Sequence, residues 1–370
     1  MKILLVNNDK GWGGGQEHLK SLAEQLSRQG FNIHFSCRSG SPSETNFSAM
    51  GYPVHPFSRS LLCIIRTTIL MPCILRREKF DIVMVTREHD LAAIALAWKL
   101  AFPLVRTGKL VMCYHTATSR RQMFFGAVDA VACVSSFIRD KLLTGNKRIE
   151  KAVAILHNGV PVADHIPAEK FKVERKRRFF HGMDFPLIGM VCAFFKNQAE
   201  LVEMIPILKQ KFPTIKIAFI GDDSDLVQTT MLMDKVRQLG VMDSVIFTGK
   251  VPHERLTDIY FDLDLSVSTF RSEGFGLVHL ESLAAGTPVV TYNAGGQIDI
   301  FSDGGAGVLV DGGIKEFASV VVDLLSDNER RFAMGAVGRK LVNERFSVEH
   351  MAETYSAFFR RLQKKLPDYY

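Results

Sequence analysis

The chain has 370 residues, which is long enough for two domains that each bury a hydrophobic core. Hydrophobic residues make up 47% and charged residues 23% of it, a balance that argues against disorder. The net charge of +7 favours an anionic partner such as a nucleotide, a phospholipid head group or nucleic acid, although it would also serve solubility alone.

Cysteine usage and hydropathy bear on the compartment. The six cysteines show no C-x-x-C pair and no histidine at ligand spacing, which favours a reducing cytoplasm and argues against a structural metal. The N-terminal stretch at 1–6 is too short and too quickly followed by polar residues for a signal peptide, and no apolar stretch reaches transmembrane length without a charge. We therefore expect a cytoplasmic protein, soluble or peripheral at the inner face of a membrane.

A glycine-rich loop with Gly14 and Gly15 follows the strand-like run at 2–6. A helical pattern from Glu17 to Gln29 and a strand from Asn32 to Cys37 come next. This order is typical of a doubly wound α/β sheet, in which ligands bind at the carboxyl ends of the strands. The loop does not meet the G-x-G-x-x-G dinucleotide fingerprint. We expect Gly14 and Gly15 to face a ligand, although a tight turn alone would also need glycine.

The segment from Arg59 to Arg77 is mainly apolar but carries arginines inside and at both ends. It is predicted to be a helix with Pro72 near its end. Such a helix packs in the core of a βαβ unit or rests its basic and apolar surface on anionic lipid. Core packing is favoured, since helices inside βαβ units are normally apolar.

His115 follows a strand predicted from Leu110 to Tyr114. The carboxyl end of a parallel strand faces the ligand crevice, so His115 is a candidate site residue, although lone histidines are often structural. Ser119, Arg120 and Arg121 lie just beyond and would suit an anionic acceptor.

A dense charge run from Lys170 to Arg178 follows. It predicts a solvated linker and the natural boundary between two domains. Nucleic-acid binding is the alternative, but no further basic or aromatic pattern supports it.

The second half repeats the strand, loop, helix order. Lys196 follows a strand from Leu187 to Ala193, and a lysine is a compact cation suited to phosphate. Lys250 and Val251 lie in the loop after a later strand.

The stretch from Ser272 to Val290 carries the clearest motif. Glu273 precedes a Gly-Phe-Gly turn at 274–276, and Glu281 projects from the apolar helix that follows. Free amides at the start of this helix suit an anion, and eight residues at helical rise span about 12 Å. Amides for phosphate with a carboxylate on each side suit a sugar nucleotide. The structural alternative is a helix start whose acids favour the dipole or face solvent.

Together with the run Ala-Ala-Gly-Thr-Pro-Val-Val at 284–290, the pair Glu273 and Glu281 resembles the E-x7-E signature of the family 4, group 1 retaining glycosyltransferases. The resemblance implies the GT-B fold, an α/β architecture of two Rossmann-like doubly wound domains facing a cleft. The expected boundaries are an acceptor-side domain at 1–168, a linker at 169–186 and a nucleotide-sugar domain at 187–347, with a terminal helix at 348–370 packing back on the first domain.

The resemblance also implies roles for single residues. Glu273 would lie against the donor sugar, Glu281 would hold the ribose, and Lys196 would reach the diphosphate. His115 would contact the donor near the transferred bond. The catalytic residues expected on this basis are Glu273 and His115, and the donor-binding residues are Gly14, Gly15, Lys196, Lys250, Val251, Gly274, Phe275, Gly276, Leu277 and Glu281.

The sequence departs from the family pattern at two places. The family carries an arginine a few residues before its lysine, where this chain has Cys192, Ala193 and Phe194, which would weaken the phosphate clamp. Asp299 replaces a glutamate in a motif resembling G-G-x-x-E. The D-x-D at 262–264 is not taken as a metal site, because the family has a lone Asp where Asp264 stands and is expected to be metal-independent.

The resemblance implies retaining transfer of a sugar from a UDP-sugar or GDP-sugar to a glycan or lipid-linked acceptor. No metal, no other cofactor and no nucleic acid are expected, and the product would belong to a cell-envelope polysaccharide or lipopolysaccharide. The excess positive charge adds contact with an anionic membrane. Two alternatives remain open: a non-catalytic sugar-nucleotide-binding scaffold, which the missing arginine would fit, and a nucleotide-sugar epimerase of the same fold.

Overall fold

The computed structural model of the protein describes residues 1–57, 61–103, 107–119, 125–146, 153–163, 167–172, 176–182, 185–193, 195–222 and 224–364. The chain divides into two compact units, Met1–Gly159 together with Val348–Tyr370, and Val160–Ser347. Residues 160–186, which the sequence divides between the first domain and a linker, thus belong to the second unit.

The described part of the first unit forms a parallel sheet of seven strands in the order β3-β2-β1-β4-β5-β6-β7. The strands are β1 (Lys2–Asn7), β2 (Asn32–Arg38), β3 (Val54–Phe57), β4 (Ile82–Val85), β5 (Lys109–Tyr114), β6 (Ala130–Cys133) and β7 (Val153–Ile155). The helices are α1 (Gly14–Arg28), α2 (Pro42–Ala49), α3 (Leu61–Glu78), α4 (Glu88–Ala101), α5 (Ser136–Gly145) and α13 (Val348–Lys364).

Apolar patterning explains this unit. The β4 run Ile-Val-Met-Val is buried along its whole length, as expected for a strand covered on both faces. Helix α1 buries Leu19, Leu22 and Leu26, which share one face at helical spacing. Helix α13 returns to this unit, where Gln25 Nε2 of α1 donates to Glu349 Oε1 at 2.9 Å.

The described part of the second unit forms a parallel sheet of six strands in the order β10-β9-β8-β11-β12-β13. The strands are β8 (Leu187–Val191), β9 (Lys216–Ile220), β10 (Val245–Gly249), β11 (Leu265–Ser268), β12 (Val289–Tyr292) and β13 (Gly307–Val310). The helices are α6 (Gln198–Lys211), α7 (Leu226–Gln238), α8 (His253–Asp262), α9 (Leu277–Ala284), α10 (Ile298–Phe301), α11 (Ile314–Ser326) and α12 (Asn328–Arg345). Both sheets are therefore doubly wound α/β, which confirms the predicted fold class.

The charge run at 170–178 was predicted to be solvated, and this is wrong for Lys170, whereas Lys172 and Lys176 are exposed. Lys170 is only 3% exposed, and its ammonium donates to the carbonyl oxygens of Tyr260 (3.3 Å), Phe261 (2.8 Å) and Leu263 (3.0 Å) and to the Thr287 hydroxyl at 2.5 Å. These carbonyls end α8, where a cation is favourable. Residues 173–175 of the run lie outside the described residues.

The apolar and basic segment at 59–77 forms most of α3. Met71 and Leu75 are buried against the unit, as the favoured prediction of core packing requires, while Leu70 is 46% exposed. Arg59, and the side chains up to residue 69 including Arg66, lie outside the described residues. In the described ranges, no helix is long and apolar enough to cross a membrane.

Candidate active site

The Gly-Phe-Gly turn before α9 depends on glycine. Gly276 has φ +108°, and a β-carbon there would lie 2.4 Å from His279 Cδ2. Gly295, at φ +71°, sits against the backbone of this loop, and the Gly296 amide donates to the Glu273 carbonyl at 2.8 Å. The loop that carries Glu273 is thus fixed at the start of α9.

Lys196 and Glu273, which lie 77 residues apart in sequence, form an ion pair with Nζ and Oε2 2.6 Å apart. Their side chains are 22% and 16% exposed, so water screens the pair only in part. The Gly274 amide donates to Glu273 Oε1 at 3.2 Å. The structure therefore brings the predicted phosphate lysine, the predicted sugar carboxylate and the predicted anion-binding turn into one place.

Glu281, on the second turn of α9, accepts a hydrogen bond at Oε2 from the Tyr260 hydroxyl at 3.0 Å. His253 Nε2 lies 3.9 Å from the other carboxylate oxygen. Both partners belong to α8. Burial, and then the charge of Glu281, raise the pKa of Tyr260 well above its usual value, so the phenol stays protonated and donates. Tyr260 carried no motif in the sequence, whereas His253 belongs to the run at 249–254 that resembles the base-reading loop of the family.

Arg271 fixes the start of the loop that carries Glu273. Its guanidinium donates to both carboxylate oxygens of Glu200, on the first turn of α6, at 2.9 to 3.2 Å. It also stacks 3.5 Å from the centre of the Tyr292 ring, and Tyr292 donates to the same carboxylate at 3.0 Å. Sequence reasoning missed this residue, although it directly precedes Ser272 and Glu273.

No arginine stands at Cys192 and Ala193, where the family has one, and Phe194 lies outside the described residues. Cys192 is a neutral thiol, because burial raises its pKa to about 12. Gln198 Nε2 contacts its sulfur at 3.1 Å and donates to the Ala193 carbonyl at 2.7 Å. This stretch supports the start of α6 and supplies no cation.

His279 lies beneath the Gly-Phe-Gly turn and is 1% exposed. Burial lowers its pKa to about 4, so the imidazole is neutral at physiological pH. Sequence reasoning missed it as well. Its position two residues before Glu281 on an apolar helix could have suggested burial, but not its place under the turn.

Lys250 and Val251 follow β10. Lys250 is exposed, whereas Val251 packs against the hydrophobic cluster that contains Tyr260, Ile259 and Leu187. Phe275 is buried, and Phe346 lies beside it with ring centres 5.8 Å apart. Phe275 therefore holds the turn in place from below, and Val251 supports α8.

In the first unit, a cavity of about 700 Å³ opens at the carboxyl ends of β1, β4 and β5. Gly15 lines it, while Gly14, the first residue of α1, is not among its lining residues. Arg87 and Asp9 form an ion pair at 2.5 Å at this cavity. Ser119 also lines it, whereas Arg120 and Arg121 lie outside the described residues.

His115 lines the same cavity, as its place after β5 predicted. Its Nε2 lies 3.5 Å from Cys113 Sγ, and its ring meets His18 edge-on with centres 5.0 Å apart. The Tyr355 hydroxyl of α13 reaches the same sulfur at 3.5 Å. Burial lowers the pKa of His115 to about 4, so it acts as a neutral hydrogen-bonding group and not as a cation.

The two acids of the D-x-D sequence serve the fold. Asp262 is fully buried and accepts from the amides of 178–180 at 2.6 to 2.8 Å. Asp264 accepts from the Leu187 amide at 2.8 Å. Within the described ranges, no three His, Cys, Asp or Glu side chains are grouped as a metal site would need.

Two family models match the chain. The model described as "Glycosyl transferases group 1" matches residues 174–341, and the model described as "Glycosyltransferase Family 4" matches residues 12–164. One similar curated protein is a GDP-mannose-dependent alpha-(1-6)-phosphatidylinositol monomannoside mannosyltransferase of Mycolicibacterium smegmatis. It is 29% identical over 372 residues, which cover 91% of this chain and 92% of the relative.

Solved structures resemble the whole chain. A glycosyltransferase from Rickettsia africae matches with a TM-score of 0.83 and 18% identity, covering 99% of both chains. Anabaena HepE in complex with UDP and glucose matches with a TM-score of 0.78 and 18% identity, covering 97% of this chain and 99% of that one. Because these matches cover nearly the whole chain, the fold of both units resembles that of the solved structures.

Proposed function

Since this chain belongs to the group 1 glycosyltransferases of family 4, we propose that it moves a sugar with retention from a UDP-sugar or GDP-sugar to a glycan or lipid-linked acceptor. The chain is accordingly a glycosyltransferase of the GT-B fold. The observation that carries the proposal is the Lys196–Glu273 pair at 2.6 Å, held against the amides of the Gly-Phe-Gly turn.

The donor diphosphate would compete with Glu273 for Lys196. Once Lys196 turns to the phosphates, the Glu273 carboxylate is released toward the donor sugar, where it supports an oxocarbenium-like state. Lys196 and the amides of 274–277 then stabilise the negative charge that develops on the leaving diphosphate. The bond from the anomeric carbon to the phosphate oxygen breaks, the acceptor oxygen attacks from the same face, and the leaving phosphate takes the acceptor proton.

The nucleoside end would be held by α8 and α9. Glu281 accepts hydrogen bonds from the ribose hydroxyls, and the loop of Lys250 and Val251 meets the base. We propose that no metal is needed, because Lys196 and the helix amides provide the positive charge that the diphosphate requires.

The cavity beside His115 would take the acceptor side in the first unit. The neutral imidazole can hydrogen-bond a sugar hydroxyl near the transferred bond, and Gly15 lets a ligand approach the backbone closely. The relative from Mycolicibacterium smegmatis is a phosphatidylinositol monomannoside mannosyltransferase, which supports a lipid-linked acceptor and a role in the cell envelope.

Helices α3 and α4 offer a surface for contact with an anionic membrane. Leu70, Leu96 and Leu100 are 46%, 51% and 47% exposed. Arg76 donates to the carbonyls of Leu100 (2.9 Å) and Ala101 (2.6 Å), which places a cation beside Leu100, and Arg77 is 71% exposed. Exposed apolar side chains with arginines on the same pair of helices match the chemistry of an anionic bilayer.

Vesicle co-sedimentation tests this contact. The protein should sediment with phosphatidylglycerol vesicles at low salt and be released by high salt, and Leu96→Glu/Leu100→Glu should abolish binding. The control is Leu226→Glu/Met231→Glu, which alters exposed apolar side chains on α7 of the second unit. Equal loss in both variants, or no binding by the wild type, would refute membrane contact through this surface.

Calorimetry with UDP-, GDP-, ADP- and CMP-sugars, with and without EDTA, tests the donor site. One nucleotide class should bind, insensitively to EDTA, and Glu281→Ala should lose that binding. If no sugar nucleotide binds the folded wild type, the assignment of the donor site is refuted. If binding requires a metal, the metal-independent mechanism is wrong.

A further inference from the structure

We propose that Tyr260 is a positioning residue that sets the Glu281 carboxylate for the ribose of the donor, and this rests on the function proposed above. The Tyr260 hydroxyl lies 3.0 Å from Glu281 Oε2, 21 residues along the chain. Its ring is buried in the cluster around Ile259 and Leu263, with 1% of the residue exposed. Tyr260 thus reaches Glu281 from inside the unit.

The bond fixes which way the carboxylate turns. A protonated phenol is a donor and a carboxylate accepts about four hydrogen bonds, so the bond from Tyr260 to Oε2 occupies one of these acceptor positions. Because the phenol is buried, it cannot follow Glu281 into solvent. The carboxylate is therefore held in one orientation before the nucleotide arrives, which lowers the entropy cost of binding.

The backbone of Tyr260 is also held in place by hydrogen bonds. The Tyr260 carbonyl accepts from the Thr287 hydroxyl at 2.5 Å and from the Lys170 ammonium at 3.3 Å. Thr287 lies just after α9, the helix of Glu281. Helices α8 and α9 are thus joined at two points, through Tyr260 to Glu281 and through Thr287 to Tyr260, so the position of the phenol is determined on both sides.

The test is Tyr260→Phe, which removes one hydroxyl and keeps the buried ring. Ordering a side chain on binding costs about 0.5 to 1.5 kcal/mol, equal to about twofold to tenfold in affinity, so the dissociation constant of the preferred nucleoside diphosphate should rise by about twofold to tenfold. The KM for the sugar nucleotide should rise similarly while kcat changes less than about twofold. Inhibition by inorganic pyrophosphate, which lacks ribose, should not change.

One further ligand and one control variant separate positioning from general damage. The 2′,3′-dideoxy nucleoside diphosphate should bind wild type and Tyr260→Phe equally, because it cannot donate to Glu281. Tyr355→Phe is the matched control, since this buried tyrosine meets Cys113 in the first unit. It should leave nucleotide affinity unchanged.

A double-mutant cycle shows whether Tyr260 acts through Glu281 or whether Tyr260→Phe damages the fold. In Glu281→Gln the carboxylate is lost, and adding Tyr260→Phe should weaken nucleotide binding no further. Additive losses, equal loss of the dideoxy ligand, or unchanged affinity in Tyr260→Phe would each overturn the inference while leaving the donor site intact. If the folded wild type binds no nucleoside diphosphate, the proposed function fails first.

Discussion

At the scale of single residues, the sequence identified the residues of the motifs but not the residues that hold them in position. Lys196, Glu273 and Glu281 stand at spacings that suggested a donor site, and the structure joins the first two directly. Tyr260 and Arg271 had no such spacing. Their roles depend on how α8 crosses α9 and on where Glu200 falls on α6, which are tertiary facts.

For Lys170 the sequence prediction was wrong: its charged neighbours in sequence indicated a solvated side chain, but it is buried. What decides its burial is a set of carbonyls at the end of α8, about ninety residues later. A charge run reports average polarity and cannot indicate which of its cations finds buried acceptors.

Lys170→Met should therefore be strongly destabilising. The change leaves the carbonyls of Phe261 and Leu263 without the ammonium that they accept from, and we expect the free energy of unfolding to fall by about 3 kcal/mol. Urea unfolding would measure it. The control is Lys172→Met, an exposed lysine of the same charge run, which should change stability by less than about 0.5 kcal/mol. Equal effects of the two changes would contradict the account.

At the scale of elements, sequence predicted most of the architecture. Buried apolar runs such as β4 and β5, and amphipathic stretches such as α1, have periodicities that depend on local chain geometry. The helix of the E-x7-E motif lies where its apolar face and the following glycine placed it, as α9. Pairings between strands, such as β2 with β3, carried no comparable signal.

One such pairing brings two histidines together. His34 Nδ1 of β2 lies 3.0 Å from His55 Nε2 of β3, with the rings stacked. Burial, and then His55 and Lys2, lower the pKa of His34 to about 4 from 6.5, and burial also lowers the pKa of His55. The shared hydrogen bond needs at least one neutral ring.

Acid should therefore weaken the fold in a defined window. The unfolded chain binds protons at these histidines near pH 6.5, while the folded chain resists them to about pH 4, so the free energy of unfolding falls as pH drops through that window. The Tm should be lower at pH 5 than at pH 7, and His34→Phe should reduce that difference. The exposed control His181→Phe should not; if both variants keep the full difference, the pair is not its source.

At the scale of the whole molecule, the chain builds two doubly wound units and its last helix belongs to the first of them. Residues 160–186 belong to the second unit, because Lys170 and Arg177 bond to the carbonyls of α8 and the residues around it. Composition marked a change near this point but could not show which unit the segment joins.

Deleting 348–370 should damage the first unit selectively. Helix α13 buries Met351, Tyr355 and Phe359 there, each at most 2% exposed. Their loss would leave an apolar gap against α1 and β5, so amide exchange should rise in these elements and remain low in β8 and β11. Deleting 365–370 alone is the control. Uniform exchange increases across both units would contradict this assignment.

The central claim is that Lys196 grips the donor diphosphate beside Glu273. Titration calorimetry of the preferred nucleoside diphosphate on wild type and Lys196→Met tests it most directly, with Lys211→Met, an exposed lysine at the end of α6, as control. We expect Lys196→Met to weaken binding by about tenfold to a hundredfold, as for a charge-assisted phosphate contact, and to flatten its salt dependence, with the control unchanged. Equal affinity and equal salt dependence in all three proteins would contradict the account.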